Sequence, residues 1–156
     1  MAVHYLSVTL GQDHLALITK TKKKKIMIRF SYTILYVRDV IKSIEFYEKA
    51  FGFQRKFIAP GNEYAELTTG DTILSFAATS LAKTNLSEGF IESCPTGKPF
   101  GIEIGFTTTD VEKVFNESIQ AGAIAVEKAK IKPWGQTVAY VKDPDGFLIE
   151  ICTPMS

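Results

Sequence analysis

The chain spells nearly the same pattern twice, and this repetition constrains its fold more than any other feature. Residues 34–53 read ILYVRDVIKSIEFYEKAFGF and residues 104–124 read IGFTTTDVEKVFNESIQAGAI. Each is a strand-like apolar run, then Asp-Val opening a helical pattern, then Gly where that pattern stops. Asp39 and Asp110 stand 71 positions apart, and Gly52 and Gly122 stand 70 apart. A second echo follows, since residues 64–76 (YAELTTGDTILSF) and 138–151 (VAYVKDPDGFLIEI) both read strand-turn-strand. A repeated unit of this kind implies two similar half-folds packed together. The groove where such halves meet is a natural place for a ligand.

Local chemistry fills in the unit. Asp39 is a helix cap, because a short carboxylate accepts hydrogen bonds from the unpaired amides of a first turn. Val40, Ile44, Tyr47 and Phe51 recur at helical spacing, and Gly52 suits the left-handed residue that ends a helix. Strands are predicted at 31–37, 54–58, 64–68 and 72–77, with Thr69-Gly70-Asp71 turning between the last two. The second half repeats the order: a strand at 100–107, a helix at 110–121, and strands at 124–127, 136–141 and 147–152. Asp143-Pro144-Asp145-Gly146 is a strong turn, with Pro fixing one dihedral angle and Gly permitting a positive φ. The order βαβββ, written twice, predicts an α+β fold of tandem modules, two curved mixed sheets around a cleft with helices outside. Module one covers about 27–78 and module two about 99–156. The segment between them is rich in Ser, Thr, Gly and Pro, with a short helical turn expected near 88–91. It is longer than most connections and is either a functional segment or a plain linker.

Charge separates an amino-terminal extension, 1–26, from the body. The extension carries five Lys and one Asp, a net of +4, which leaves 13 basic against 16 acidic side chains, or −3, on the remainder. An acidic body argues against nucleic-acid binding, which needs clustered basic residues. The apolar run 15–18 is too short to span a membrane, and the lysine run follows it, whereas a secretory signal puts its charge first. The extension reads as a solvated, poorly ordered arm, with nucleic-acid or membrane contact as its alternative. Cys94 and Cys152 match no metal or disulfide spacing and fit reduced thiols of the cytoplasm. Both histidines, His4 and His14, fall in the extension, so the body has no imidazole.

The stretches YVRDVIKSIEFYEKAFGF and WGQTVAYVKDPDGFLIEI resemble the vicinal oxygen chelate superfamily of glyoxalase I, extradiol dioxygenases, fosfomycin-resistance enzymes and bleomycin-resistance proteins. The resemblance covers about 27–154. It implies a paired βαβββ fold, commonly dimeric, with a ligand cleft on the concave sheet. The enzymes of that superfamily hold a divalent metal with ligands, usually His and Glu, from four strands. Those positions fall here on Tyr32, on Leu74 (or on Ser75 if the alignment slips by one), on Glu103 and on Glu150. Nickel, iron and zinc sites of this type rely on imidazole or thiolate donors. Two carboxylates alone would hold Mg²⁺ or Mn²⁺ weakly, with water completing the shell. No cofactor is expected beyond such a weak divalent metal on Glu103 and Glu150.

Strand alternation places Glu103 and Glu150 opposite their apolar neighbours Ile102, Ile104, Ile149 and Ile151. Either they enter the cleft, where they would accept hydrogen bonds from a cationic or polyhydroxyl ligand, or they sit on an exposed sheet face. Tyr32, Ile34 and Tyr36 share one face of the first strand, with Leu74 and Phe76 expected beside them, and Tyr140 is a further candidate for binding the ligand. Trp134 is either a stacking wall for a flat ligand or a hydrophobic plug. The expected activity is non-catalytic binding of an amphipathic or cationic compound, as in bleomycin-resistance proteins, by a homodimer. A metal-dependent glyoxalase-like lyase or isomerase is the alternative. No nucleophile elbow, phosphate loop or Cys-His pair is present.

Overall fold

The computed structural model describes residues 28–155. The 1–26 extension lies outside the described residues. The elements run β1 (Tyr32–Val37), α1 (Val40–Phe51), β2 (Gln54–Ile58), β3 (Tyr64–Thr68), β4 (Ile73–Ala78), α2 (Thr79–Asn85), β5 (Glu103–Thr107), α3 (Val111–Ala121), β6 (Ile124–Ile131), β7 (Thr137–Lys142) and β8 (Leu148–Cys152). Two four-stranded sheets result, ordered β1-β4-β3-β2 and β5-β8-β7-β6. In each, the first strand pairs in parallel with the last and the remaining pairs are antiparallel. This is a tandem βαβββ architecture of the α+β class.

The helix ends form as the repeat foretells. The Asp39 carboxylate accepts from the Lys42 amide at 3.1 Å, and Asp110 accepts from the Lys113 amide at 3.0 Å. Gly52 (φ 70°) and Gly122 (φ 116°) adopt the left-handed conformation that ends each helix, which costs a side-chain-free residue little. Val40, Ile44 and Tyr47 are buried beneath α1.

One core joins the modules. Tyr47 is fully buried, with its ring 5.1 Å from Phe76 in the first sheet and 6.4 Å from Phe106 in the second. α1 packs on β3 and β4, α3 packs on β6, β7 and β8, and the two helices touch each other. Each sheet therefore has one face covered by a long helix, α1 or α3, and an opposite face, the free face, turned away from that helix, while the short α2 touches β4 and β1.

Several boundaries differ from the sequence reading. The helix of the connecting segment is Thr79–Asn85, and no helix forms at 88–91. Ala82, 1% exposed, packs this helix against β4 and β1, a tertiary contact that outweighs the weak helix propensity of its Ser and Thr residues. β5 begins at Glu103 rather than at 100 because its only partner, β8, begins at Leu148, directly opposite. β6 continues to Ile131, paired through two irregularities with β7.

Candidate functional site

Strand register decides which side chains share a face, since paired residues on neighbouring strands point the same way. In the second sheet Glu103 pairs with Leu148, Gly105 with Glu150, and Tyr140 with Glu150. Ile104, Phe106, Ile149 and Ile151 alternate with these and belong to the helix-covered core. Glu103, Tyr140 and Glu150 thus stand together on the free face, with Val138, Lys142, Leu148 and Cys152 around them.

The chemistry of this face is a shared proton-donor network around one carboxylate. The Tyr140 hydroxyl donates to Glu150 Oε2 at 2.7 Å. That bond, with burial and the carboxylate charge behind it, pushes the phenol up to about 12. The Cys152 thiol is pushed up to about 11, by burial first and by Glu150 second. Both groups therefore stay protonated at neutral pH. The Glu103 carboxyl is raised by partial loss of hydration against the sheet and then by the charge of Glu150, although the residue as a whole is exposed. Gly105 lies beside Glu150, and a Cβ there would reach 4.0 Å from Glu150 Oε1, so its missing side chain leaves the carboxylate open. Lys132 holds its ammonium 5.6 Å from the centre of the Tyr140 ring.

In the first sheet the register pairs Ile34 with Ser75 and Tyr36 with Ala77, while Leu35 pairs with Phe76 and Thr33 with Leu74. Tyr32, Ile34 and Tyr36 occupy the free face, Tyr32 being 52% exposed. Leu74 and Phe76 are corrected by this register. Phe76 is fully buried against Tyr47, and Leu74 turns to the same helix-covered side. Ser75, the alternative position on β4, is the residue of that strand that shares the face of Ile34. Trp134 is 65% exposed in the β6–β7 loop, where its indole N–H donates to Gln136 at 2.8 Å. It lines a small hollow with Pro154 and Met155, which groups it with the carboxy-terminal segment and not with the carboxylates.

Sequence reasoning missed a second network. The Tyr64 hydroxyl donates to Glu66 Oε1 at 2.9 Å and lies 3.1 Å from Ser75 Oγ, while Lys56 pairs with Glu66 Oε2 at 2.8 Å. The lysine bond is the main cause holding the Glu66 carboxyl below its ordinary value. The signal was present, because Tyr64, Glu66 and Thr68 alternate with buried Ala65 and Leu67. Two hollows are lined by residues of both modules. One of about 380 Å³ is floored by Phe51, Phe53 and Phe106, and one of about 270 Å³ at the ends of β1 and β5 is touched by Leu74.

Metal chemistry can be tested against these donors. Of the positions onto which the resemblance lays the superfamily's ligands, Tyr32 offers a phenol, Ser75 a fully buried hydroxyl, and Glu103 and Glu150 two carboxylates, the latter already bonded to Tyr140. Among the described residues no group of three or more His, Cys, Asp or Glu converges. This donor set does not fit a tightly held transition ion.

The tandem βαβββ fold is that of the vicinal oxygen chelate superfamily. The chain belongs to the family described as the Glyoxalase-like domain, whose model matches residues 30–156. It is similar to the lactoylglutathione lyase GLX1 of Arabidopsis thaliana, 32% identical over 128 residues that cover 79% of this chain and 43% of that protein. The chain thus spans less than half the length of that curated relative. It is also similar to the virulence protein STM3117 of Salmonella typhimurium, 30% identical over 131 residues, 79% of this chain and 82% of that one. Among solved structures, a glyoxalase-related enzyme from Fulvimarina pelagi shares the fold with a TM-score of 0.69 at 21% identity, covering 82% of this chain and 89% of its own. No helix among the described residues is long and apolar enough to cross a membrane.

Proposed function

We propose that this protein binds an amphipathic, cationic small molecule on the free faces of its sheets and does not transform it. One observation carries the reading: none of the four positions corresponding to superfamily ligands is an imidazole, and Glu150 is engaged by Tyr140 at 2.7 Å. A cation meets Glu103 and Glu150, while Tyr32, Ile34 and Tyr36 offer apolar and aromatic surface. The proposal includes a cytoplasmic homodimer, with no role for nucleic acid. The test is a thermal-shift screen of cationic amphiphiles, aromatic antibiotics among them. Binding to the native state must stabilise it, by about 2.7 kcal/mol at a ligand concentration 100 times Kd. A screen without a single shift removes the reading.

A metal-dependent lyase or isomerase is the second reading, favoured by the 32% identity to a lactoylglutathione lyase. Glu103 and Glu150 would be its ligands, with Tyr32 as a third oxygen donor or an acid–base group. Turnover of methylglyoxal–glutathione hemithioacetal with added Ni²⁺, Mn²⁺ or Mg²⁺, lost in Glu103→Gln, would establish it in place of the first.

A further inference from the structure

The segment that joins the modules touches the free faces of both sheets, and it does so on named anchors. Phe90 lays its ring 4.8 Å from that of Tyr36, tilted by 56°, on the free face of the first sheet. Farther along, Lys142 on the free face of the second sheet donates from Nζ to the backbone oxygens of Pro95 and Gly97, at 2.5 and 2.9 Å. Lys142 is 9% exposed. A buried ammonium is tolerated only when its charge is hydrogen-bonded, and these carbonyls supply the bonds. The same stretch passes directly over Gly146, where a Cβ would meet the Cys94 carbonyl at 2.4 Å. The Lys83–Glu92 ion pair, at 2.5 Å, ties the segment back to α2.

These anchors also bring the two faces to one edge. Five residues carry the chain from Phe90 to Pro95, and an extended chain gains at most about 3.5 Å per residue, roughly 17 Å in all. The end of β1 is close by, with the Arg38 guanidinium 3.6 Å from the Asp145 carboxylate in the turn before β8.

We propose that this segment is the end wall of the ligand site. Phe90 is a specificity-determining residue that sets how large a flat aromatic cation the site takes, and Lys142 is a positioning residue that holds the wall in place. The inference rests on the binding reading above and adds the part of the chain that selects the ligand's size. Phe90 extends the aromatic surface begun by Tyr36, so a small aromatic cation gains a second ring to pack against. A wide one collides with it.

The test uses two probes, benzyltrimethylammonium as the small cation and acridine orange as the wide one, titrated calorimetrically against the full chain. Phe90→Ala should weaken the small probe and spare or strengthen the wide one, moving the ratio of their Kd values by about tenfold. Lys142→Met should move the ratio the same way, and Lys142→Arg, which still donates to two carbonyls, should restore it. Phe90→Ala decides the matter alone if Lys142→Met does not fold. An unchanged ratio, with binding still lost in Glu103→Gln/Glu150→Gln, overturns the wall and leaves the site standing. Absence of binding by both probes, or indifference to the carboxylate substitutions, overturns the site reading and the wall with it.

Discussion

Tyr47, in the helix of the first module, donates its hydroxyl proton at 2.9 Å to Oδ2 of Asp143, a fully buried carboxylate in the second. The neighbouring Ser43 hydroxyl does the same for Asp145 at 2.7 Å. The DPDG turn thus joins the two halves as well as reversing the chain.

Asp143 gives the fold a pH dependence of unusual sign. Burial raises its carboxyl from 3.8 to about 6, against the opposing pull of its hydrogen bonds. With the folded value above the unfolded one, the native state binds more protons across that window. Stability therefore rises as pH falls through 6 and levels off below 4, by up to roughly 3 kcal/mol. Urea unfolding between pH 4 and 7.5 should show this slope, and Asp143→Asn should flatten it. Tyr47→Phe removes a donor from a buried carboxylate and should cost about 1–3 kcal/mol at pH 7.5.

The two cysteines should react in sequence. Cys94 is exposed, and its thiol is lowered chiefly by the Thr96 hydroxyl, whereas Cys152 is buried and pushed up to about 11. Since the thiolate is the reactive form, iodoacetamide at pH 7.5 should label Cys94 in the native protein and reach Cys152 only on unfolding. Peptide mass mapping reads the order directly. Labelling of Cys152 first would mean that the Tyr140–Glu150–Cys152 network is not closed.

Glu103→Gln with Glu150→Gln should weaken a cationic ligand by about 10- to 100-fold. The melting temperature should stay nearly unchanged, since Glu103 is exposed and Glu150 half-buried. Because Glu103 is raised, cation binding should begin to fail at a higher pH than an ordinary glutamate would dictate. Calorimetric titration across pH 4–8 measures both effects.

Opposite faces of β1 and β4 should give opposite phenotypes. Phe76→Ala empties a core position against Tyr47 and should cost about 3–5 kcal/mol in denaturant unfolding. Tyr32→Ala, on the free face, should leave stability within about 1 kcal/mol and weaken binding instead.

The sequence exposed the frame because the frame is made of short-range chemistry. Asp39, Gly52, Asp110 and Gly122 mark helix ends through local hydrogen bonds and backbone angles, and these act the same way in any context. β4 was harder to read. Its run ILSFAA has no polar residue on either side of the pleat except Ser75, so the phase of alternation that assigns Phe76 to the core cannot be read from composition. Only the register with β1 settles it. Asp143 looked like a turn residue because turn propensity is local, while its burial depends on Tyr47, 96 positions earlier. Lys142 reads as the end of a strand until Pro95 and Gly97 are folded against it. Glu66 is visible in the alternation of β3, but the resemblance lays the superfamily's ligands on other strands and so does not point to it.

The halves of this duplicated molecule have parted company in chemistry. Register sets Ser75 where its twin strand carries Glu150, and Tyr32 begins β1 where Glu103 begins β5. The acid of the first half, Glu66, is already neutralised by Lys56. A scaffold with near-twofold symmetry thus offers a lopsided host. On the binding reading proposed above, its guest would have a head and a tail, with the charged head drawn toward the second half and the oily tail lodged along the first. A symmetrical molecule would waste one end of it.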